Sequence, residues 1–560
     1  NSIKLICRHT QKLHAKMGAL LSKLQGLATQ YGYKKIVAAL MATLFLKSSV
    51  WRVLVYKLKN RPPGPIPFPI IGNFPYLSPP NTPPGIHKDF YKLFKAYGPV
   101  YSLWFGANYG IVLNSREAFY EALKTKQDEY AKRPVLKSFE AITHGQGVAM
   151  NNGKRWRMIR TVMQTHITNK QKGVEAEDML KEEIGSSLAW LNDQCARGHG
   201  ADFDLRQLCR REALNVIMRK IFSFRFGDAN TPLYMEVQDW IRVIFEHLAQ
   251  GSPSDFMPIA KYFPNSEEDH YRGVCFKMEA FIDGEIARHR KTAAKADPEN
   301  ADFIHSMIRV QQEAKAKGAE FLTDVDIRVV AWDSMAGAID TSATTMEWLI
   351  YVLINHKPVL RKLQRILDEV VGPDRLPGLE DIEKLEYLTA ILDEIFRFKH
   401  FAPQGLPHEA AVDTSILGYN VPKGTQVFFN YYSLHMNPKY WKKPEEFRPE
   451  RFLEEERSLL NTCLHPEMNF SNPEAYKFVP FGQGRRRCVG YGFGRIAMWI
   501  KAALWLHCFD WDSVDGKPMD IDSETLGITM VPNEQKVKAI PRPAARLLKS
   551  IDGNPKFDQR

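Results

Sequence analysis

The stretch FGQGRRRCVG, residues 481–490, decides how this chain is read. It sets one cysteine, Cys488, in a turn with a phenylalanine, two well-spaced glycines and three consecutive arginines. A thiolate that serves as a metal ligand needs backbone N–H donors and positive surroundings to stay ionised and to tune its donor strength. Gly484 permits a tight turn that exposes amides, and Gly490 lets the following helix lie close to a bound group with its amino end aimed at the sulfur. Phe481 can shield the sulfur from water. Arg486 can pair with a carboxylate of that group through charge-assisted hydrogen bonds.

Composition sets the frame around this loop. The chain has 560 residues, 44% hydrophobic and 25% charged, which is ordinary globular composition with ample material for a core. No internal repeat or low-complexity tract divides it. The net charge of +12 has one location. Residues 1–61 carry twelve Lys and Arg and no acid, and the first acidic residue is Asp89. The remaining chain is balanced. The basic character therefore belongs to a tail suited to an anionic membrane surface or to targeting, and it excludes a nucleic-acid-binding body. Seven scattered cysteines, without CxxC spacing, argue against a disulfide framework and for a reducing compartment.

Within the tail, Leu13, Met17, Leu20, Leu21, Leu24 and Leu27 repeat at helical spacing beside Lys12, Lys16 and Lys23. Residues 1–35 read as a basic amphipathic segment that can lie among lipid headgroups. Residues 36–56 have the length of a bilayer span but include Lys47 and Arg52, so the span is marginal. Residues 57–73 form a proline-rich linker, stiff because proline fixes its own backbone and restricts its predecessor. The body is expected at 74–548, with a tail at 549–560.

Along the body, a helix is expected at 86–97, then a hairpin of VYSLWF (100–105) and YGIVLN (109–114) with Gly106 in the turn. Ser115 should cap a further helix. Residues 130–153 read as irregular. Long helices are expected near 204–222, 233–248, 268–292 and 323–353, short strands at 408–430, and a last helix after Cys488. The fold class is mainly α with a small β region.

The spacing F-x-x-G-x-R-x-C-x-G, met by Phe481, Gly484, Arg486, Cys488 and Gly490, suits a cysteine that ligates haem iron, with Arg486 on a propionate. On these residues the sequence resembles the cytochrome P-450 family of haem-thiolate monooxygenases, over nearly all of the chain outside the tail. The resemblance implies a helical prism with a single catalytic domain, haem b (iron protoporphyrin IX) as cofactor, and Cys488 as axial iron ligand. A thiolate ligand pushes electron density onto iron and favours O–O cleavage. Glu394 and Arg397, in E-x-x-R, together with Arg451 in FRPERF, match the family's buried structural triad. Trp156 and Arg160, one turn apart, match its propionate-binding pair, and His408 sits where it places another propionate partner. Within GAIDTS (337–342), Thr341 is the expected hydroxyl of a proton relay and Asp340 the acid beside it, with Ala338 where the family carries glycine.

The implied reaction is insertion of one oxygen atom from O2 into a lipophilic small molecule by an oxidoreductase acting on paired donors. Too little chain follows Cys488 for a reductase domain. The implied electron donor is an NADPH-dependent cytochrome P-450 reductase, with cytochrome b5 as a second donor. Arg485, Arg487, Lys477, Arg155 and Arg157 are expected to form its basic landing site. The segments DTSATTMEW and VPKGTQV resemble plant-type microsomal members that modify specialised metabolites. Residues 130–153, 240–265, 329–338 and 400–406 are expected to line the substrate pocket. The expected place is the endoplasmic reticulum membrane with a cytosolic catalytic domain, the alternative being mitochondrial. A peroxide-rearranging enzyme and a non-catalytic haem-binding protein are the competing readings.

Overall fold

Thr323 opens the helix on which the architecture turns. Its side chain accepts from Asp326 N at 3.3 Å, while the Asp326 carboxylate accepts from Thr323 N at 2.7 Å. This reciprocal cap satisfies two amides that a helix start leaves unpaired. The helix then runs from Asp324 to Asn355, and every residue between Ala343 and Ile354 is buried. A helix apolar on all sides belongs in a core.

The computed structural model describes residue 43 and residues 59–79, 82, 85–167, 172–198, 203–226, 231–257, 260, 262–293, 301–318, 322–453, 472–550 and 558–559. Among these, the α-helices of seven residues or more are α1 (Ile86–Tyr97), α2 (Lys137–Thr143), α3 (Gly153–Ile167), α4 (Lys172–Ala196), α5 (Leu205–Phe222), α6 (Pro232–Gln250), α7 (Ser266–Thr292), α8 (Phe303–Ala316), α9 (Asp324–Asn355), α10 (Lys357–Val370), α11 (Glu386–Phe398) and α12 (Tyr491–Cys508). α9 packs most extensively on α5, and α12 packs on α4, α9 and α11. One large apolar core joins these helices.

The main sheet is small. β1 (Val100–Phe105) and β2 (Asn108–Leu113) form an antiparallel hairpin with Val100 opposite Leu113. Gly106 turns it at φ +58°, where a Cβ would lie 2.5 Å from the Phe256 carbonyl oxygen. Ser115 caps the next short helix by accepting from Ala118 N. A second, three-stranded sheet joins β3 (Phe203–Asp204), β6 (Phe509–Ser513) and β7 (Lys536–Pro541). β4 (His408–Glu409) and β5 (Gln426–Phe429) complete the main sheet, with β5 parallel to β2.

Three features depart from the sequence reading. The stretch expected to be irregular contains α2. The sheet residues after 508 carry short, mixed apolar patterns and were not anticipated. The described part of the proline-rich linker is no free spacer. Ser102 donates its amide to Pro63 O at 2.7 Å and its hydroxyl to Pro62 O at 2.8 Å. The linker thus runs along β1 as an added edge, and a Cβ at Gly64 would lie 2.1 Å from the Ser102 carbonyl oxygen.

Among the described residues no helix is long and apolar enough to cross a membrane. The amphipathic segment 1–35 and the expected span 36–56 lie outside the described residues, Thr43 excepted, as does most of the tail 549–560.

Candidate active site

The cysteine loop is built by backbone conformation. Gly484 has φ +70°, and a Cβ there would lie 2.5 Å from the Leu123 carbonyl oxygen, so only glycine fits. The Cys488 amide donates to Phe481 O at 3.0 Å, closing the loop, and α12 starts three residues later with Gly490 as its cap. Phe481 is fixed edge-on by Phe396 and Tyr491, at centroid distances of 5.3 and 5.4 Å.

The Cys488 side chain is surrounded by protein yet accessible, because its free face opens on an internal cleft. Burial raises its thiol above the ordinary value, while the amides of Gly490 and Tyr491 and the charges of Arg160 and Arg487 pull it down. Burial wins in the protein alone; a coordinated metal ion deprotonates such a thiol outright. Across the cleft, α9 contributes Gly337, Ala338 and Thr341. The cleft offers about 1410 Å³ of free space, part of it open to solvent. Its walls are largely apolar, formed by Val148, Ala338, Phe401, Phe481, Val489 and Phe493. A Cβ at Gly337 or at Gly490 would meet no protein atom within 4 Å.

A cluster of buried and half-buried cations borders the same cleft. Arg486 lies 3.8 Å from the Trp156 ring centre and donates to Ala131 O, Asn151 O and Asn152 Oδ1 at 2.7–2.9 Å. Arg133 donates to Leu406 O and Pro407 O at 2.7 and 2.9 Å, and to Ala149 O on the cleft wall at 3.2 Å. Among the described residues neither guanidinium has a carboxylate partner. Burial, with repulsion from Arg133 and Arg160, pushes Arg486 down to about 8, and burial with Arg160 pushes Arg133 down to about 10. His408 is buried, donates Nδ1–H to Tyr130 O at 2.6 Å, and is held neutral by burial and by Arg133. Trp156 donates to Val148 O at 3.1 Å, and Arg160 donates to Arg487 O. Positive charge buried without a counterion calls for an anionic ligand. A porphyrin with two carboxylates fits both this cluster and the apolar cleft. Arg133 is absent from the sequence reading, since nothing around it in the chain marks it.

The structural triad is assembled in full. Arg397 forks onto Glu394 at 2.7 and 2.8 Å, and Arg451 Nε reaches Glu394 Oε1 at 3.1 Å. All three are 0–1% exposed. Their remaining donors go to the carbonyls of His435, Lys442, Pro444 and Glu446.

The proposed relay is arranged differently from its expectation. α9 is uninterrupted through 337–342, and the Thr341 hydroxyl donates back to Gly337 O at 2.7 Å rather than opening the helix. Asp340 points off the cleft wall, where it accepts from Thr529 and lies 3.5 Å from Arg210 Nη2. Besides Glu212, the cleft is lined by an acid of α9, Asp333, two turns before Thr341. Asp333 accepts from the amides of Val148 and Ala149 at 2.5 and 3.0 Å, and burial pushes it up to about 6. It pins the wall segment to α9, and the sequence reading missed it.

Two surface expectations are corrected. Lys477, assigned to a basic landing site, is 6% exposed and stacks on Trp441. Arg155 is spent on Asp326, Arg485 on Asp128, and Arg487 folds over the Tyr491 ring. Only Arg157 of that set is fully exposed. The described residues of 240–265 do not line the cleft, whereas Val148, Ala149, Asp333 and Phe401 do.

Comparison with known proteins agrees with this geometry. The family model for cytochrome P450 matches residues 62–539. The chain is 30% identical to isoflavone 2'-hydroxylase of Glycyrrhiza echinata over 85% of its length and 90% of the relative's. It is 31% identical to cytochrome P450 703A2 of Oryza sativa subsp. japonica, over 88% and 94%. Human cytochrome P450 1B1 is 27% identical over 93% and 94%.

Proposed function

The chain belongs to the cytochrome P450 family, and on that premise we propose that it is a monooxygenase that oxidises a lipophilic specialised metabolite with electrons from an NADPH-dependent reductase. The observation that carries this reading is the meeting of Cys488 and Thr341 on one apolar cleft whose border holds buried, uncompensated arginines. Relatives named as isoflavone hydroxylases support an aromatic, phenylpropanoid-like substrate over an aromatic amino acid derivative, a terpenoid or a steroid.

Haem b would be held by Cys488 at iron and by Arg133, Arg486, Trp156, Arg160 and His408 around its propionates. Bound there, it supplies activation of dioxygen. The protein's own residues do the rest. Phe481 and the loop backbone keep water from the sulfur. Gly484 and Gly490 set the loop's approach. Thr341 holds a proton on its hydroxyl at the cleft wall, and Asp340, steadied by Arg210 and Thr529, stands behind it as the acid side of the relay. The apolar walls orient the substrate and exclude bulk water. The Glu394, Arg397 and Arg451 triad locks the chain that leads to the cysteine loop. We place the enzyme at the endoplasmic reticulum through residues 1–56, with cytochrome b5 as a second donor.

A spin-state titration of the haem-loaded enzyme with flavonoids, aromatic amino acids, terpenes, sterols and fatty acids tests the substrate class. A flavonoid or related phenylpropanoid should give the strongest shift and NADPH-dependent product. A shift confined to fatty acids or sterols would overturn the class. Thr341→Ala should raise oxygen consumption per product formed; unchanged coupling would remove Thr341 from the relay.

A further inference from the structure

On the side of the fold formed by the ends of α5, α7 and α8, three side chains converge on one carboxylate. His289 lies in the last turn of α7, Asp302 caps α8, and His305 lies in the first turn of α8. His289 Nε2 is 2.9 Å from Asp302 Oδ2, and His305 Nδ1 is 3.0 Å from Asp302 Oδ1. One ligand atom from each residue can be chosen so that all lie within 4.8 Å of one another. His289 is fully buried, Asp302 is buried, and His305 keeps a partly open face.

The partners on the far side of each ring decide what faces the carboxylate. His289 Nδ1 lies 2.7 Å from Glu285 O, and a carbonyl can only accept, so the ring's proton is at Nδ1. The Thr292 hydroxyl lies 3.2 Å from His289 O and 3.0 Å from His305 Nε2, which leaves His305 Nδ1 facing Asp302. Each ring therefore turns one nitrogen toward the Asp302 carboxylate. The Ser223 hydroxyl adds a further oxygen, 2.6 Å from Asp302 Oδ2. Two imidazole nitrogens and a carboxylate converging within 4.8 Å form a donor set that can hold a cation in its midst. Outer ring N–H groups committed to a carbonyl and a hydroxyl are the second layer that orients histidine ligands.

We propose that His289, Asp302 and His305 bind a divalent transition-metal ion, zinc by preference, as a structural site separate from the cleft. Two imidazoles and a carboxylate suit zinc, with Ser223 or a water entering on the open side of His305 as fourth ligand. The ion would tie the end of α7 to the start of α8 and to Ser223 at the end of α5.

The test uses the full-length, haem-loaded protein, so that Cys488 is occupied. It is equilibrated with Zn²⁺, freed of unbound ion by gel filtration and assayed for zinc. About one zinc per chain is expected, bound as nitrogen and oxygen ligands at ~2.0–2.2 Å by X-ray absorption. His305→Ala should lose that zinc while keeping the reduced carbon-monoxide spectrum of the native enzyme. Zinc below about a tenth of an equivalent on the native chain would overturn the proposal and leave the rings as proton-filled partners of Asp302. Equal zinc on His305→Ala, or sulfur in the zinc shell, would also overturn it. If His305→Ala does not fold, the absorption spectrum of the native chain decides alone: imidazole scattering supports the site and a sulfur shell refutes it.

Discussion

Two clusters of arginine, one at Glu394 and one reaching the cysteine loop through Arg486, are built on opposite plans. Around Glu394, Arg397 and Arg451 share one carboxylate and spend their other donors on carbonyls. Around Arg486 and Arg133, every donor bond described goes to a neutral acceptor, and among the described residues no acid pairs with either guanidinium. The first cluster is complete in itself and stiffens the chain. The second is complete only with an anionic ligand. The difference teaches how to separate a charge that holds a fold from a charge that waits for a cofactor: by asking whether its counterion is already inside the protein.

The largest expected effect comes from turning the first cluster into a copy of the second. Glu394→Ala strands two buried guanidinium groups and should cost about 3–5 kcal/mol, enough to abolish accumulation of haem-loaded protein. Recovery of a normal carbon-monoxide spectrum from this variant would break the comparison. A milder change, Arg397→Lys, keeps the charge but loses the fork onto Glu394. It should cost about 1–3 kcal/mol in denaturant unfolding, and a cost near zero would mean that charge alone locks the triad.

A smaller effect sharpens the contrast with a lone anion. Asp333 is held by two amides and no cation, and burial lifts it to about 6 from an ordinary 3.8. Its raised value means that the native state holds the proton more tightly than the unfolded chain. Its contribution is therefore full below pH 3.8 and is lost as pH rises through about 6. Across that window the wild type should lose up to about 3 kcal/mol relative to Asp333→Asn, since each unit is worth about 1.4 kcal/mol. Parallel stability curves for the two proteins from pH 4 to 7 would show that Asp333 is solvated and not part of the wall.

The sequence carried the parts that local chemistry specifies. The bounds of α1 and β1, the Ser115 cap and the cysteine loop follow from spacing within a few turns of chain, whereas the triad, with Arg451 more than fifty residues after Arg397, was legible only through the family resemblance. Arg133, Asp333 and the group at His289, Asp302 and His305 did not emerge. Their meaning depends on which distant segment removes water from them, and no periodicity encodes that. Lys477 shows the converse error: a cation in a basic run looks exposed until Trp441 is known to lie against it. Thr341 was legible as a cleft residue, while the direction of Asp340 depends on Thr529, nearly two hundred residues away.

One measurement tests the distinction most directly: the rate of haem loss to an excess of apo-globin, taken beside the rate of global unfolding of the same sample. For Arg486→Met the account predicts that haem loss accelerates by about tenfold or more beyond any rise in unfolding rate, as expected for a ligand deprived of a charge-assisted partner. For Arg397→Lys the two rates should rise together. If haem loss from Arg486→Met merely follows unfolding, the buried arginines bordering the cleft serve the fold and the assignment of the cofactor's anionic edge is wrong.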